Sequence, residues 1–560
     1  MRNGVPALSS PAGFNRFGAV LLVALQAISA PAIGGQTPAA PGAKSLAELQ
    51  GRINAIIGQP KFALADWGID VVSLDTGRSL VEHNACKRFV PASNAKLFTA
   101  ALALDRLGPD YQIETSVYVT KKPDASGTVK GDLVIVGRGD PGFVDSGQPD
   151  ESNTTLAPLV QLLSAKGIKR IRGDVIGDES YFSGPPFGAG WGWEDLQWSY
   201  GAEVSALSID DNSVGLTVKP GAKAGLPCQA SVSPSNSLVN VIDRVITTPP
   251  SGPKWISVYR PIGENTVYVS GRLPVGDPGY QGHLAIHQPA GLFVQLLRRS
   301  MANRGILISG GERVADWKYR EASPLDLARL VLVGSVKSRP LGEIVKDMLK
   351  RSQNLYAQLL LLQVGAQSGL SEASTPPVAA AAESSLTTAG APNVPAPKGP
   401  APNPPAQAGD QLPPSTEELG VQAMNSLLKQ ISPCNGDALL EEGSGLSRRD
   451  MTTAASFVAL LAWAAQRPWA NVFREGLPIA GQDGTLERRM KDVAGAGNVR
   501  AKTGTLRFVN ALSGYATTAA GERLAFSLLL NSYSPASGDG SGSKALDQVL
   551  SELVGFTGHT

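Results

Sequence analysis

The sequence predicts a split α/β (α+β) domain: an antiparallel five-stranded sheet flanked by helices and interrupted by β-rich inserted domains. Three observations predict it. Two strand-like runs lie near the start of the chain and three consecutive ones near its end. A helical pattern precedes the first pair and another follows the last trio. Between them, residues 115–310 change to short β-rich runs punctuated by Gly, Pro and Asp.

The chain has 560 residues, with 50 Lys+Arg against 48 Asp+Glu. That balance excludes a strongly basic nucleic-acid binder and a polyacidic tail protein. There are 62 Gly and 41 Pro, so loops are plentiful, and only 4 His, so no multi-histidine metal centre is expected.

Residues 1–32 read as a secretory signal peptide. Arg2 and Arg16 precede the apolar stretch 17–30, and Ala30-Pro31-Ala32 offers a cleavage site. The expected location is therefore outside the cytoplasmic membrane, in the periplasm or cell envelope. Residues 33–44 are Gly, Pro and Ala rich and read as a linker. The cysteines Cys86, Cys228 and Cys434 show no CxxC spacing; export permits one disulfide, and which pair forms, if any, stays open.

Leu46, Leu49, Ile53, Ile56 and Ile57 recur at helical spacing. Residues 62–74 and 79–82 read as strands around the turn Asp75-Thr76-Gly77. A helix over 94–107 follows, with Ser93 at its start. The inserted β-rich domains are expected over 115–310, with a helix at 292–304. The catalytic domain is expected to take 45–114 and 311–560, with helices at 324–332, 341–349 and 356–364. Residues 366–414 are rich in Pro, Ala, Ser and Thr and lack the apolar side chains that offset chain entropy, so no packed structure is expected there. Strands at 499–506, 509–517 and 524–532 and a helix at 546–553 close the chain.

Ser93-Asn94-Ala95-Lys96 carries the first chemical signal. Spacing i,i+3 puts both side chains on one helix face, where a desolvated Lys amine serves as base to the Ser hydroxyl. The pattern alone is weak. Ser251 to Lys254 and Ser541 to Lys544 repeat it, in a Pro/Gly and a Gly/Ser loop that begin no apolar helix. Two further motifs sharpen it: Ser352-Gln353-Asn354 between two helical patterns, and Lys502-Thr503-Gly504 on a predicted strand. A strand edge with Lys and Thr, where Gly allows close approach, suits an extended peptide ending in a carboxylate.

This ordered set resembles the active-site motifs of β-lactamases and penicillin-binding proteins. From about 45 to 557 the sequence resembles class C low-molecular-mass penicillin-binding proteins, the D-alanyl-D-alanine carboxypeptidase/endopeptidase family, with a serine transpeptidase/β-lactamase-like fold. FVPASNAKLFTAALALDRLGPDY, GDLVIVGRGDP, GWGWEDLQWSYGAEVSALSIDDNSVGLTV, EEGSGLSRRD and VRAKTGTL carry the resemblance. A stretch of 255 residues between Lys96 and Ser352 fits this family's large insertion.

The resemblance implies a D,D-peptidase that hydrolyses D-Ala-D-Ala termini and D-Ala–diaminopimelate cross-links through an acyl-enzyme, with no cofactor. Peptidoglycan stem peptides are the implied partners and β-lactams the covalent inhibitors. No nucleic-acid partner is implied, and peripheral membrane association and oligomeric state are left open. Ser93 is the implied nucleophile and Lys96 its base. Ser352 and Asn354 complete the proton relay. Lys502, Thr503 and Gly504 meet the terminal carboxylate. The N–H groups of Ser93 and Thr505 form the oxyanion hole, where such donors are worth about 2.7–4 kcal/mol each. Asp195, Leu446, Arg448 and Leu506 are implied to read the stem side chain.

Gln353 stands where the family often has Asp, and Arg507 where small or neutral polar residues are usual. His283 and His287 lack the glutamate of a metal-binding helix and are expected to have a structural or surface role. Trp191, Trp193 and Trp198 are expected to pack the insert against the catalytic domain, with lining of a glycan or peptide groove as the alternative. The rival activities are a serine β-lactamase, a non-catalytic wall-binding scaffold, and an esterase or amidase.

Overall fold

The computed structural model describes residues 42–144, 155–373, 413–431, 433–434, 438–536 and 541–560. The expected signal peptide, most of the lead-in and positions 374–412 of the Pro/Ala stretch lie outside the described residues. No described helix is long and apolar enough to cross a membrane.

The central sheet has five antiparallel strands: β1 (Asp66–Ser73), β2 (Ser79–His83), β3 (Arg500–Leu506), β4 (Val509–Thr517) and β5 (Arg523–Asn531). Their order is β3-β4-β5-β1-β2. The two ends of the chain meet where Asp66 pairs with Asn531 and Ser73 with Leu524. β5 is buried from Leu524 to Asn531 because both its faces are covered. Phe526, Leu528 and Leu530 join Leu49, Ile53, Leu546 and Leu550 on one side. Ala525 and Leu529 join Phe98, Phe457 and Tyr356 on the other. The period of two along a strand makes this division.

Helices α1 (Leu46–Ile57), α2 (Lys96–Leu107), α3 (Leu341–Arg351), α4 (Asn354–Ala373), α5 (Thr416–Ile431), α6 (Ala454–Ala464) and α7 (Gly542–Gly555) complete the body around this sheet. Ser45 caps α1, and Thr453 and Ser456 form a reciprocal cap on α6. Ser541 caps α7 by accepting from Lys544 N, which corrects the expectation that this Ser-x-x-Lys begins no apolar helix. Glycine-rich composition hid the cap. α4 also runs to Ala373, past the expected breakdown at 366.

The inserted region has its own apolar cluster, built from Val117, Leu133, Ile135, Leu159, Phe293 and Leu297 among others. Its largest sheet orders Glu312–Ala315, Val175–Asp178, Leu133–Val136, Glu114–Val119 and Val331–Lys337. The expected limit at 310/311 therefore falls inside this sheet. The helix expected at 324–332 is a short 3-10 turn, Leu327–Arg329, followed by a strand. Pairing with Glu114–Val119 settles 331–337 as β, because tertiary pairing outweighs a weak helical period.

Cys86 and Cys434 form a disulfide across 348 positions of sequence, and Cys228 is free and buried. Trp191 packs against the main core and Trp198 against the insert cluster. Trp193 is 70% exposed, contrary to a packing role.

Candidate active site

Ser93 does not cap α2. It sits within a 3-10 turn, Ala92–Ala95, and α2 begins at Lys96. The turn is held against β4 and β5. Asn94 Nδ2 donates to Ser513 Oγ on β4 (2.7 Å), and Ser513 Oγ lies 2.9 Å from Ser527 Oγ on β5. Val90 N donates to Asn531 Oδ1 (2.9 Å). Ala92 adopts φ +49°, a left-handed conformation that a side chain resists and that surrounding packing must impose. Two glycines let neighbours close on this turn. A Cβ on Gly504 would lie 2.7 Å from Pro91 O, and one on Gly445 would lie 2.0 Å from Ala92 O.

Lys96 is fully buried. Its Nζ lies 3.0 Å from Ser93 Oγ and donates to Asn354 Oδ1 (2.6 Å) and to Ser444 O (2.6 Å). Burial pushes the amine down to about 7, opposed first by the nearby Glu442. An ammonium here loses hydration that three contacts only partly replace, so the neutral amine is reached near neutral pH. Asn354 is aimed by its other end: Nδ2 donates to Tyr200 O (2.8 Å).

Ser352 closes α3 with φ +60° and ψ +41°, and α4 starts two residues later. That left-handed break turns Ser352 toward β3, where Lys502 Nζ donates to its Oγ (2.8 Å) and to Thr503 O (2.7 Å). Lys502 is fully buried, and desolvation and the charge of Lys96 hold it well below the usual lysine range. Thr503 Oγ1 donates to Thr485 Oγ1 (2.7 Å). Gly504 is buried and Thr505 exposed, at the edge of the sheet. The three motifs thus converge from α2, the α3–α4 junction and β3.

The second set lies beside them. The segment around Gly190 packs on residues 447–449, since a Cβ there would lie 2.3 Å from Ser447 Oγ. Asp195 is half-buried; burial raises its carboxyl, opposed by a hydrogen bond with Tyr200 and by the Arg448 charge. Arg448 is exposed, and its Nη1 donates to Arg507 O (3.2 Å). Leu446 is buried and Leu506 half-buried at the end of β3. Arg507 stacks over Phe508, 5.0 Å from the ring centroid. His287 Nδ1 lies 2.7 Å from Glu203 Oε1.

Sequence reasoning missed the groups that support these side chains: Tyr200, Ser444, Thr485, Glu442 and Asp450. Ser444, Glu442 and Asp450 lie in the EEGSGLSRRD segment, where an acid directly before Gly-Ser-Gly signals a backbone nest. Tyr200 and Thr485 contribute through contacts that no local pattern announces.

A hydroxyl beside a buried, near-neutral amine, with a second buried lysine on an adjoining strand edge, is an arrangement suited to lysine-assisted serine acyl transfer. The chain belongs to the D-Ala-D-Ala carboxypeptidase 3 (S13) family, whose model matches residues 49–392 and 406–553. It is 30% identical over 544 residues to a D-alanyl-D-alanine carboxypeptidase from Actinomadura sp. (strain R39), covering 94% of this chain and 88% of that one. Its fold is similar to that of penicillin binding protein 4 from Haemophilus influenzae, with TM-score 0.69, 24% identity, and coverage of 91% of this chain and 98% of the other. A structure of that Haemophilus influenzae protein complexed with a β-lactam is similar at TM-score 0.65 and 22% identity, over 90% and 98% of the two chains.

Proposed function

We propose that this chain is a serine D,D-peptidase that hydrolyses D-Ala-D-Ala termini of peptidoglycan stem peptides and D-Ala–diaminopimelate cross-links. The observation that carries this reading is the fully buried Lys96 amine, brought to about 7 and lying 3.0 Å from Ser93 Oγ.

Neutral Lys96 takes the Ser93 proton as Oγ bonds to the carbonyl carbon before the terminal D-Ala. The tetrahedral oxyanion is met by the Ser93 and Thr505 N–H groups. The C–N bond breaks, and a proton passes through the Ser352–Lys502 side of the site to the leaving amine. Water then attacks the ester, giving a proton to Lys96; the C–Oγ bond breaks, Lys96 returns that proton to Ser93 Oγ, and the shortened peptide leaves as a carboxylic acid that ionises to solvent. Lys502 and Thr503 hold the substrate's terminal carboxylate, whose negative charge favours the protonated form of the buried Lys502. A β-lactam presents a similar carbonyl and carboxylate and acylates Ser93. A cross-link offers the same D,D bond to the same site.

Export by the 1–32 segment would place this activity outside the cytoplasmic membrane, where the polymer lies. The paired strands favour an insert running from about 114 to 337, with catalytic portions on either side.

Acylation by a fluorescent penicillin, followed from pH 5 to 9, tests the base. Lys96 reacts as the neutral amine, so the rate is expected to be half-maximal near pH 7 and to fall about tenfold per unit well below it. A flat profile would remove Lys96 from the role. Release of D-alanine from a pentapeptide substrate by the same preparation establishes the hydrolysis; rapid turnover of a β-lactam instead would favour the β-lactamase reading.

Asp195 and Arg448 favour a stem side chain bearing both ammonium and carboxylate groups, each met by the opposite charge. Arg448→Ala is expected to lower kcat/KM roughly ten- to hundredfold for such peptides, the loss of one charged hydrogen bond. Acylation by a small penicillin lacking that side chain should change little. Equal losses on both would refute the subsite.

A further inference from the structure

The loop of residues 443–447 wraps a fully buried carboxylate that neither attacks nor touches Ser93. Glu442 Oε1 accepts from the backbone N–H groups of Gly445 (2.5 Å), Leu446 (2.9 Å) and Ser447 (3.4 Å). Its Oε2 accepts from Ser444 N (2.7 Å) and from the Trp191 indole (3.2 Å). Every oxygen of this carboxylate is therefore met by donors, the arrangement that stabilises an anion in a low-dielectric interior. The same loop offers Ser444 O to Lys96 Nζ at 2.6 Å, and Gly443 O to Thr99 Oγ1 at 2.6 Å on the next turn of α2.

A second carboxyl lies against it. Asp450 is fully buried; its Oδ1 accepts from Glu441 N (2.8 Å), and its Oδ2 meets no donor among the described residues. An acceptor oxygen buried without a donor is costly unless it carries a proton itself. Two adjacent buried carboxyl groups cannot both ionise cheaply.

We propose that Glu442 and Asp450 act as one singly charged acid pair that positions and tunes Lys96: Glu442 carries the charge and holds the Ser444 carbonyl on the amine, and Asp450 carries the pair's proton. Burial and the neighbouring Glu442 charge raise the Asp450 carboxyl well above its ordinary value, in agreement with this assignment. The charged groups around the pair are Lys96 on α2, Glu417 on α5 and Glu441, which pairs with Arg449 at 2.6 Å. Glu417 is itself pushed up to about 7 by burial. This leaves the Glu442 charge as the principal counterweight to the desolvation of Lys96. Without it the amine would lose its proton at lower pH.

The inference rests on Lys96 serving as base to Ser93, and the test separates the two ideas. Single-turnover acylation of the full chain by a fluorescent penicillin is measured from pH 5 to 9 for wild type, Glu442→Gln and Asp450→Asn. Glu442→Gln is expected to move the acidic midpoint down by about one pH unit, as removal of a nearby opposite charge does. Asp450→Asn retains a donor toward Glu442 and removes no charge, so its midpoint should stay within about 0.3 of wild type. A purely structural role would lower the Glu442→Gln rate at every pH with the midpoint unmoved, and that result overturns the proposal. A midpoint lowered by Asp450→Asn also overturns it, because the charge would then reside on Asp450. If Glu442→Gln shows no cooperative melt, the Asp450→Asn midpoint decides alone. A wild type that takes no label overturns both this inference and the acyl-enzyme beneath it.

Discussion

Ser93→Ala is expected to abolish covalent labelling by penicillin and to lower kcat for D-alanine release by at least about 10⁴-fold. Removing a nucleophile leaves only the rate enhancement that binding and oxyanion donors supply. The fold should survive. The turn that carries Ser93 is pinned by Asn94 on Ser513 and by Val90 on Asn531, and neither contact uses the Ser93 hydroxyl. Intact-mass spectrometry after penicillin treatment checks the loss of the adduct, and a thermal melt within a few degrees of wild type checks the fold. An adduct that persists in Ser93→Ala would place the nucleophile elsewhere and dismantle the site.

Lys96→Gln is expected to slow acylation by about 10³- to 10⁴-fold while leaving Ser93 in place. A positioned general base supplies roughly 10²- to 10⁴-fold. Lys96 also donates to Asn354 and Ser444, so its loss disturbs the relay as well as the base. Stopped-flow acylation checks the rate, and the residual rate should lose the rise through pH 7. The chain holds its own control. Ser541 and Lys544 share the same spacing, but Lys544 is exposed and Ser541 caps α7. Ser541→Ala is expected to cost about 1 kcal/mol of stability and to leave acylation unchanged. Spacing supplies two side chains on one face. Desolvation is what sets Lys96 apart from Lys544.

Much of the site was legible before any coordinates. The first two and last three strands, the motifs at 93–96, 352–354 and 502–504, and the split of one sheet by a long insert follow from local period, motif order and turn composition. Each depends on residues near one another in sequence. The errors have a common origin. The strand at 331–337 overlaps a helical period in the sequence, because the partner that makes it β, Glu114–Val119, lies far back in the chain. The cap at Ser541 was hidden in a Gly/Ser run, and the pairing of Cys86 with Cys434 spans 348 positions.

The sequence by itself determined the parts: a serine three residues before a lysine, a strand carrying Lys-Thr-Gly, and enough apolar periodicity to bury a two-sided sheet. Only the tertiary structure decided their chemistry. Burial of Lys96 brings its amine near neutral pH, Ser444 and Asn354 aim it, and Glu442 opposes the shift. A pKa depends on water excluded and charges gathered from α2, α4, β3 and the 443–450 loop at once, and those segments meet only when the chain folds.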